Sequence, residues 1–121
     1  MTQRARARRL GIQAEEWVSE HLVQQGWRIR ARNWRARRGE IDIIVERSDQ
    51  LRFVEVKARK TLNAGLEAIG YRKRQSLTRA AEAYLATHLI VADEIGFLLA
   101  VVTPHSDTPD ITLFDHPFGG S

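Results

Sequence analysis

The sequence contains no cysteine. That excludes disulfides, thiolate metal sites and a cysteine nucleophile, and it fits a reducing compartment; a cytoplasmic protein is expected. No apolar run approaches the roughly 20 residues needed to cross a bilayer, so no membrane partner is expected. The arginine-rich start (Arg4, Arg6, Arg8, Arg9) lacks the apolar stretch of a secretory signal, and Glu15, Glu16 and Glu20 follow too soon for a transit peptide. The four histidines, His21, His88, His105 and His116, have no ligand spacing, which argues against zinc. Ser19, Ser48, Ser76 and Ser106 lie in no nucleophile-elbow context. Gly119-Gly120 follows no strand and cradles no phosphate. There are no repeats, linkers or low-complexity segments.

What is present fits one globular domain over residues 1–121, with 43% hydrophobic and 28% charged residues. The net charge of +4 hides an asymmetry. Residues 1–38 carry ten Arg against three Glu, whereas residues 39–121 carry nine Lys or Arg against twelve Asp or Glu. A basic first third points to a polyanion, although a merely solvated basic face is the plain alternative. Sixteen of the 19 basic residues are Arg, which can grip a phosphate with two hydrogen bonds at once.

Hydrophobic periodicity gives the elements. Residues 1–10 read as a basic arm. Ala14, Trp17, Val18, His21 and Leu22 follow helical spacing over 11–25, and Gly26 stops that helix. From Trp27 to Trp34 the pattern alternates, with Trp27, Ile29 and Ala31 on one face and Arg28, Arg30 and Arg32 on the other. Residues 36–39 form a basic turn. Glu40–Glu46 and Leu51–Ala58, around a polar turn at 47–50, predict a β-hairpin. Residues 61–68 read as a loop. Residues 69–88 form a second helix with Ile69, Leu77, Ala80, Ala81, Tyr84 and Leu85 on its apolar face. Ile95–Val102 is an apolar run expected of a central strand buried on both faces. Ile111–Phe114 is a short edge strand and 117–121 a tail. The order α-β-β-β-α-β, with a final short strand, is an α/β fold on a mixed sheet. Trp17 and Trp27 belong to the core, while Trp34, beside Arg32 and Arg35, is either core or a base-stacking group.

The hairpin carries the chemistry. Folded about the Ser48–Asp49 bond, it sets Ile43 against Val54, Ile44 against Phe53 and Ile41 against Val56. The same register sets Asp42 opposite Glu55, and a one-residue slip would spoil both matches. Glu40, Asp42, Glu55 and Lys57 then share one face, together with Ile44, Leu51 and Phe53. Opposed carboxylates repel, and on a half-buried face the repulsion is expensive. A hard divalent cation such as Mg²⁺ offsets it. The plain alternative is a solvated polar face with Lys57 paired to Glu55.

Gly39-Glu-Ile-Asp-Ile-Ile44 followed by Phe53-Val-Glu-Val-Lys57 resembles the PD-(D/E)xK nuclease motif. With Gly11-x-x-Ala-Glu15, Leu22-x-x-x-Gly26, Arg32-Asn-Trp-Arg35, Ala58-Arg59 and Lys73 added, residues 11–103 resemble the YraN-like family of small bacterial proteins, related to Holliday-junction resolvases. The resemblance implies a restriction-endonuclease-like core and Mg²⁺- or Mn²⁺-dependent cleavage of structured or branched DNA. It implies metal ligation by Asp42 and Glu55 with Glu15 as the helical acid, the Val56 carbonyl as a further ligand, and Lys57 at the attacking water. Lys73 matches a basic position early in the second helix. Arg35, Arg37, Arg38 and Arg59, with Lys73, are the expected nucleic-acid contacts. Resolvase-like relatives are dimeric, so a homodimer is expected. One departure is Leu98, where related sequences often carry an Asp. Two other functions compete: a non-catalytic nucleic-acid-binding module on the same fold, and an adaptor whose arginines meet an acidic protein.

Overall fold

A computed structural model of the chain describes residues 1–105 and 107–117. The elements run α1 (Gln3–Gln24), β1 (Arg28–Ala36), β2 (Gly39–Arg47), β3 (Gln50–Ala58), α2 (Leu62–Glu67), α3 (Tyr71–Thr87), β4 (Glu94–Thr103) and β5 (Asp110–Pro117). The five strands form one mixed sheet in the order β1-β2-β3-β4-β5. Among the described residues only β3 and β4 pair in parallel, and α2 and α3 supply the crossover that a parallel pair needs.

Each face of the sheet carries its own core. Ala14, Val18 and Leu22 of α1 pack with Ile43, Val45, Val54, Ala100 and Val102. Leu77, Ala80, Ala81 and Tyr84 of α3 pack with Ile41, Ile44, Leu51 and Phe53 on the other face. Burying a side chain of this size is worth about 1.5–3 kcal/mol. Trp27 is buried and Trp17 packs beside it in the first core. Trp34 packs edge-on against Tyr84, with ring centroids 5.3 Å apart, at the half-buried margin of the second core.

The helix of α1 starts at Gln3, so the expected arm over residues 1–10 is helical. Ala and Arg favour helix, and the Thr2 hydroxyl caps it by accepting from the Ala5 N–H at 3.0 Å. The expected loop over 61–68 contains α2, whose cap is Thr61 accepting from the Ala64 N–H. Gly65 lets α2 press on β4, since a methyl group there would lie 2.3 Å from Val101 Cγ1. The second helix begins at Tyr71, which leaves Ile69 outside it. β5 runs to Pro117, and residues 118–121 of the expected tail lie outside the described residues. The predicted Gly119-Gly120 and Ser106 readings also lie outside them. β4 is central in its pairing, but Ile95, Phe97 and Leu99 are only half-buried, because α2 is too short to cover the whole strand.

Two departures from strict alternation shape the site. The β1–β2 register shifts between Ile29 and Ala31, so Ile29 meets the α1 core and Ala31 the α3 core. One extra residue, Arg30, absorbs the shift by donating to the Tyr84 hydroxyl and pairing with Glu46. The β2–β3 ladder follows the predicted register from Arg47↔Gln50 to Ile43↔Val54, and there it ends. Asp42 and Glu55, the next pair, are not joined by the ladder.

Candidate metal and phosphate site

The end of the β2–β3 ladder is where the strands part and a cavity opens. Ile41 and Ile43, two residues apart, pack into different cores, so the alternation of β2 breaks at Asp42. The Asp42 carboxylate takes over the lost ladder bond: its Oδ2 accepts the Val56 N–H at 2.8 Å. A side chain that replaces a backbone acceptor is fixed in orientation and lies towards the neighbouring strand. β3 keeps its alternation, so Glu55 falls on the same side as Leu51 and Phe53, where α3 begins.

The cavity measures about 270 Å³. Its walls are Ala7, Leu10, Gly11 and Glu15 of α1, Glu40 and Asp42 of β2, residues 55–59 at the end of β3, and Lys73 of α3. Gly39 helps bring α3 here. A methyl group at that position would lie 2.4 Å from the Ser76 carbonyl, and Ser76 Oγ donates to the Arg38 carbonyl at 3.1 Å. The β1–β2 turn is thereby clamped to the first turns of α3.

Glu55 is only 2% exposed. Its Oε1 faces two cations, Lys57 Nζ at 3.3 Å and Lys73 Nζ at 3.4 Å. Its Oε2 is buried with no hydrogen-bond partner among the described residues. Burial, reinforced by the Asp42 charge, pushes the Glu55 carboxyl up to about 7 despite both lysines. Burial raises Asp42 as well, against the Val56 hydrogen bond and the same two lysines. Glu15 is raised by burial and then by Asp42. Desolvation and mutual repulsion therefore outweigh the cations present, and the site is short of positive charge.

Of the residues expected from sequence, Glu15, Asp42, Glu55, Lys57, Arg59 and Lys73 all line the cavity. Lys73, expected among the nucleic-acid contacts, reaches the buried acid from α3, with Nζ 3.4 Å from Glu55 Oε1. Glu15 shares the cavity, yet among the described residues no three His, Cys, Asp or Glu side chains gather closely enough to hold an ion as they stand. Arg35 pairs with Glu40 at 3.1 Å, and Arg37 and Arg38 are exposed on the turn above. Leu98 lies in the α1-side core and does not line the cavity.

Sequence reasoning missed Asn33 and the first turns of α1. Asn33 takes a left-handed backbone, φ +50°, and its side chain hydrogen-bonds Glu15. The signal was available: Asn is the residue that, after Gly, most readily adopts this conformation. Ala7 and Leu10 were hidden because the arm was not read as helix; Gly11 was read inside the helix, but its place on the cavity wall was not.

These features define an α/β protein with a buried, under-neutralised acid pair at the open end of a hairpin, facing two lysines. The chain belongs to the UPF0102 family: the model described as "Uncharacterised protein family UPF0102" matches residues 14–103, a span that includes Glu15, Asp42, Glu55, Lys57 and Lys73. It is 48% identical over 86 residues to a UPF0102 protein of Gloeobacter violaceus, covering 69% of this chain and 68% of that one. It is 41% identical over 96 residues to one from Synechococcus sp. (strain JA-3-3Ab), covering 77% and 73%. With one from Rhodopseudomonas palustris (strain BisB18) it shares 40% identity over 105 residues, 86% and 78% of the two chains. The YraN-like resemblance thus holds at the level of this family. No helix among the described residues is long and apolar enough to cross a membrane.

Proposed function

We propose that this chain is a divalent-metal-dependent endonuclease on a restriction-endonuclease-like core, hydrolysing phosphodiester bonds in structured or branched DNA. The observation that carries the reading is the buried, unpartnered Glu55 Oε2 beside Asp42. An orphaned carboxylate oxygen facing a second acid suits a hard cation, and an all-carboxylate donor set suits Mg²⁺ or Mn²⁺ over softer metals. Asp42 and Glu55 would hold the ion, with Glu15 as the outer acid.

When bound, such an ion makes water nucleophilic at neutral pH and neutralises charge on the phosphate. The chain's own groups do the rest. The Val56 N–H fixes the Asp42 carboxylate. Both lysines pair with Glu55; Lys57, a compact cation with movable donors on the same strand, would turn to an attacking hydroxide or the pentavalent phosphate while Lys73 keeps hold of the acid from the α3 side. Arg59 at the rim, with Arg35 at the end of β1 and Arg37 and Arg38 on the turn after it, grips flanking phosphates. A branched junction is two-fold symmetric, and a homodimer is the assembly that matches it.

The test is the melting temperature in Mg²⁺ and Mn²⁺, followed by incubation with plasmid, flap and four-way-junction DNA. Ligand binding to the folded state raises Tm by linkage, and Asp42→Asn abolishes that rise. An unchanged Tm across millimolar Mn²⁺ rejects the site. A second reading, a binding module without turnover, is favoured by one observation: Lys57 and Lys73 both pair with the same Glu55 oxygen, so the chain supplies that oxygen with cations of its own. A salt-dependent gel shift with neither cleavage nor a metal-induced Tm rise selects it.

A further inference from the structure

Most described glycines are explained by their surroundings. Gly26 has a positive φ of 93°. At Gly39, Gly65 and Gly96 a methyl group would strike a neighbour at 2.4, 2.3 and 2.8 Å. Gly70 is the N-cap of α3, a position that tolerates glycine. Gly11 has no such reason. It lies in the middle of α1 without a positive φ, and a methyl group there would meet nothing within 4 Å. Glycine inside a helix is destabilising relative to alanine, so packing alone would favour alanine at this position.

What Gly11 does face is the cavity, together with Ala7 one turn earlier. Arg4 and Arg8 share this face of the helix, at i, i+3, i+4 and i+7 with Ala7 and Gly11, and both are exposed. A bare strip of backbone flanked by guanidinium groups therefore leads to the cavity floor, where Glu55 carries its unpartnered, buried Oε2. Glu55 is 2% exposed between this wall and Lys73 on the opposite one. The cavity, about 270 Å³ between α1 and Lys73 of α3, has room for one sugar–phosphate strand but not for a duplex, whose grooves alone span roughly 12 and 6 Å.

We infer that Gly11 keeps open the passage by which a single unpaired DNA strand, its sugar–phosphate backbone lying on α1 between Arg4 and Arg8, reaches Asp42 and Glu55. The inference rests on the endonuclease reading and names its substrate: the unpaired arm of a flap or of another branched structure that carries a single-stranded arm. A side chain at residue 11 narrows the passage while leaving both carboxylates and both lysines in place.

The experiment compares full-length wild type, Gly11→Ala, Gly11→Leu and the control Ile12→Leu, whose side chain is 61% exposed on another face of α1. Tm, the Mn²⁺-induced rise in Tm, and cleavage of flap, single-stranded and blunt duplex DNA are measured. Gly11→Ala raises Tm by roughly 3–6 °C, as a glycine replaced by the best helix former should in a chain of this size. Gly11→Leu keeps the wild-type Mn²⁺ response and cuts flap and single strand at least about tenfold more slowly, since small misplacements of the reacting group are costly. Ile12→Leu cuts as wild type does, and blunt duplex is a poor substrate for all four. A lowered Tm for Gly11→Ala assigns the glycine to packing and overturns the inference. So does wild-type cleavage by a folded, Mn²⁺-responsive Gly11→Leu, and so does blunt duplex cut as fast as flap; in both cases the endonuclease reading stands. If wild type shows neither a Mn²⁺ response nor cleavage, the endonuclease reading fails and takes the passage with it.

Discussion

Arg52 and Glu55 lie three residues apart on β3, and both are buried, at 4% and 2% exposure. Their surroundings differ. At the closed end of the hairpin Arg52 is fully engaged: Nε and Nη2 reach Asp115 and Glu94, and Nη1 donates to the Leu51 and Glu94 carbonyls. Its ion pairs measure 2.7 and 2.8 Å, and its guanidinium is held above its usual range by these hydrogen bonds, which outweigh its burial. At the open end Glu55 has cations only at 3.3 and 3.4 Å, one oxygen with no partner, and a second acid beside it. A buried charge with every valence met stabilises a fold. A buried charge left short is a place where something else can bind.

The sharpest way to test that contrast is to remove one cation from each end. Lys57→Ala lowers the cleavage rate by about 10²–10³, the usual effect of losing one preorganised charge stabiliser, while DNA affinity stays nearly unchanged. If Lys57→Ala cuts as fast as wild type, the lysine has only a structural role. Arg52→Ala acts on stability instead. Losing several charge-assisted hydrogen bonds costs about 3 kcal/mol, read as a lower denaturation midpoint. Its Mn²⁺-induced Tm rise is retained, because the open end is untouched. A loss of metal response in Arg52→Ala would mean the two ends are one network.

Glu55→Gln comes next and has the opposite sign. The Glu55 carboxyl is held at about 7 in the folded chain, against an ordinary 4.5. Between those values the folded state binds more protons than the unfolded state, so stability falls as pH rises through that window. Above pH 7 the charged carboxylate is a net burden. Glu55→Gln removes it and stabilises the metal-free protein at pH 8 by on the order of 2 kcal/mol, with little change at pH 4. Cleavage is lost. In wild type the Mn²⁺-induced Tm rise grows from pH 6 to pH 8, because the ion must displace the proton. A Glu55→Gln protein less stable than wild type at pH 8 would place Glu55 with Arg52, as a structural charge.

The closed end was the more legible in the sequence. Matching apolar pairs fixed the register from Ile43↔Val54 to the turn, because a slip would have exposed Ile44 and Phe53. The same rule predicted Asp42 opposite Glu55, but there the ladder stops, since the Asp42 side chain itself captures the Val56 N–H. Periodicity cannot show a side chain replacing a backbone acceptor. The identities of Asp42, Glu55 and Lys57 were still readable, because Glu-x-Lys on a strand puts both groups on one face. Lys73 was legible through the family resemblance alone; its place beside Glu55, like the α1 wall, came from tertiary packing: a clamp of Gly39 on Ser76, and a helix starting at Gln3, eight residues before the span 11–25 read from periodicity.

The smallest effect expected concerns the surface cations, and it compares the ends once more. At the closed end Arg28 is 78% exposed but bonded to Glu46, which also holds Arg30. At the open end Arg37 and Arg38 stand exposed on the turn that α3 clamps above the cavity. An arginine already neutralised by a carboxylate releases few counterions when it meets phosphate; an exposed one releases nearly one per contact. Replacing Arg37 or Arg38 with Ala therefore flattens the slope of log affinity against log salt by about one per arginine, and weakens binding by a similar amount whatever the sequence. Cleavage at saturating DNA is preserved, because these groups bind ground state and transition state alike. Arg28→Ala leaves the slope where it was. Equal slopes for Arg28→Ala and Arg37→Ala would show that the two ends bind alike, and the basic first third would then be a uniformly solvated face with no tract at the cavity mouth.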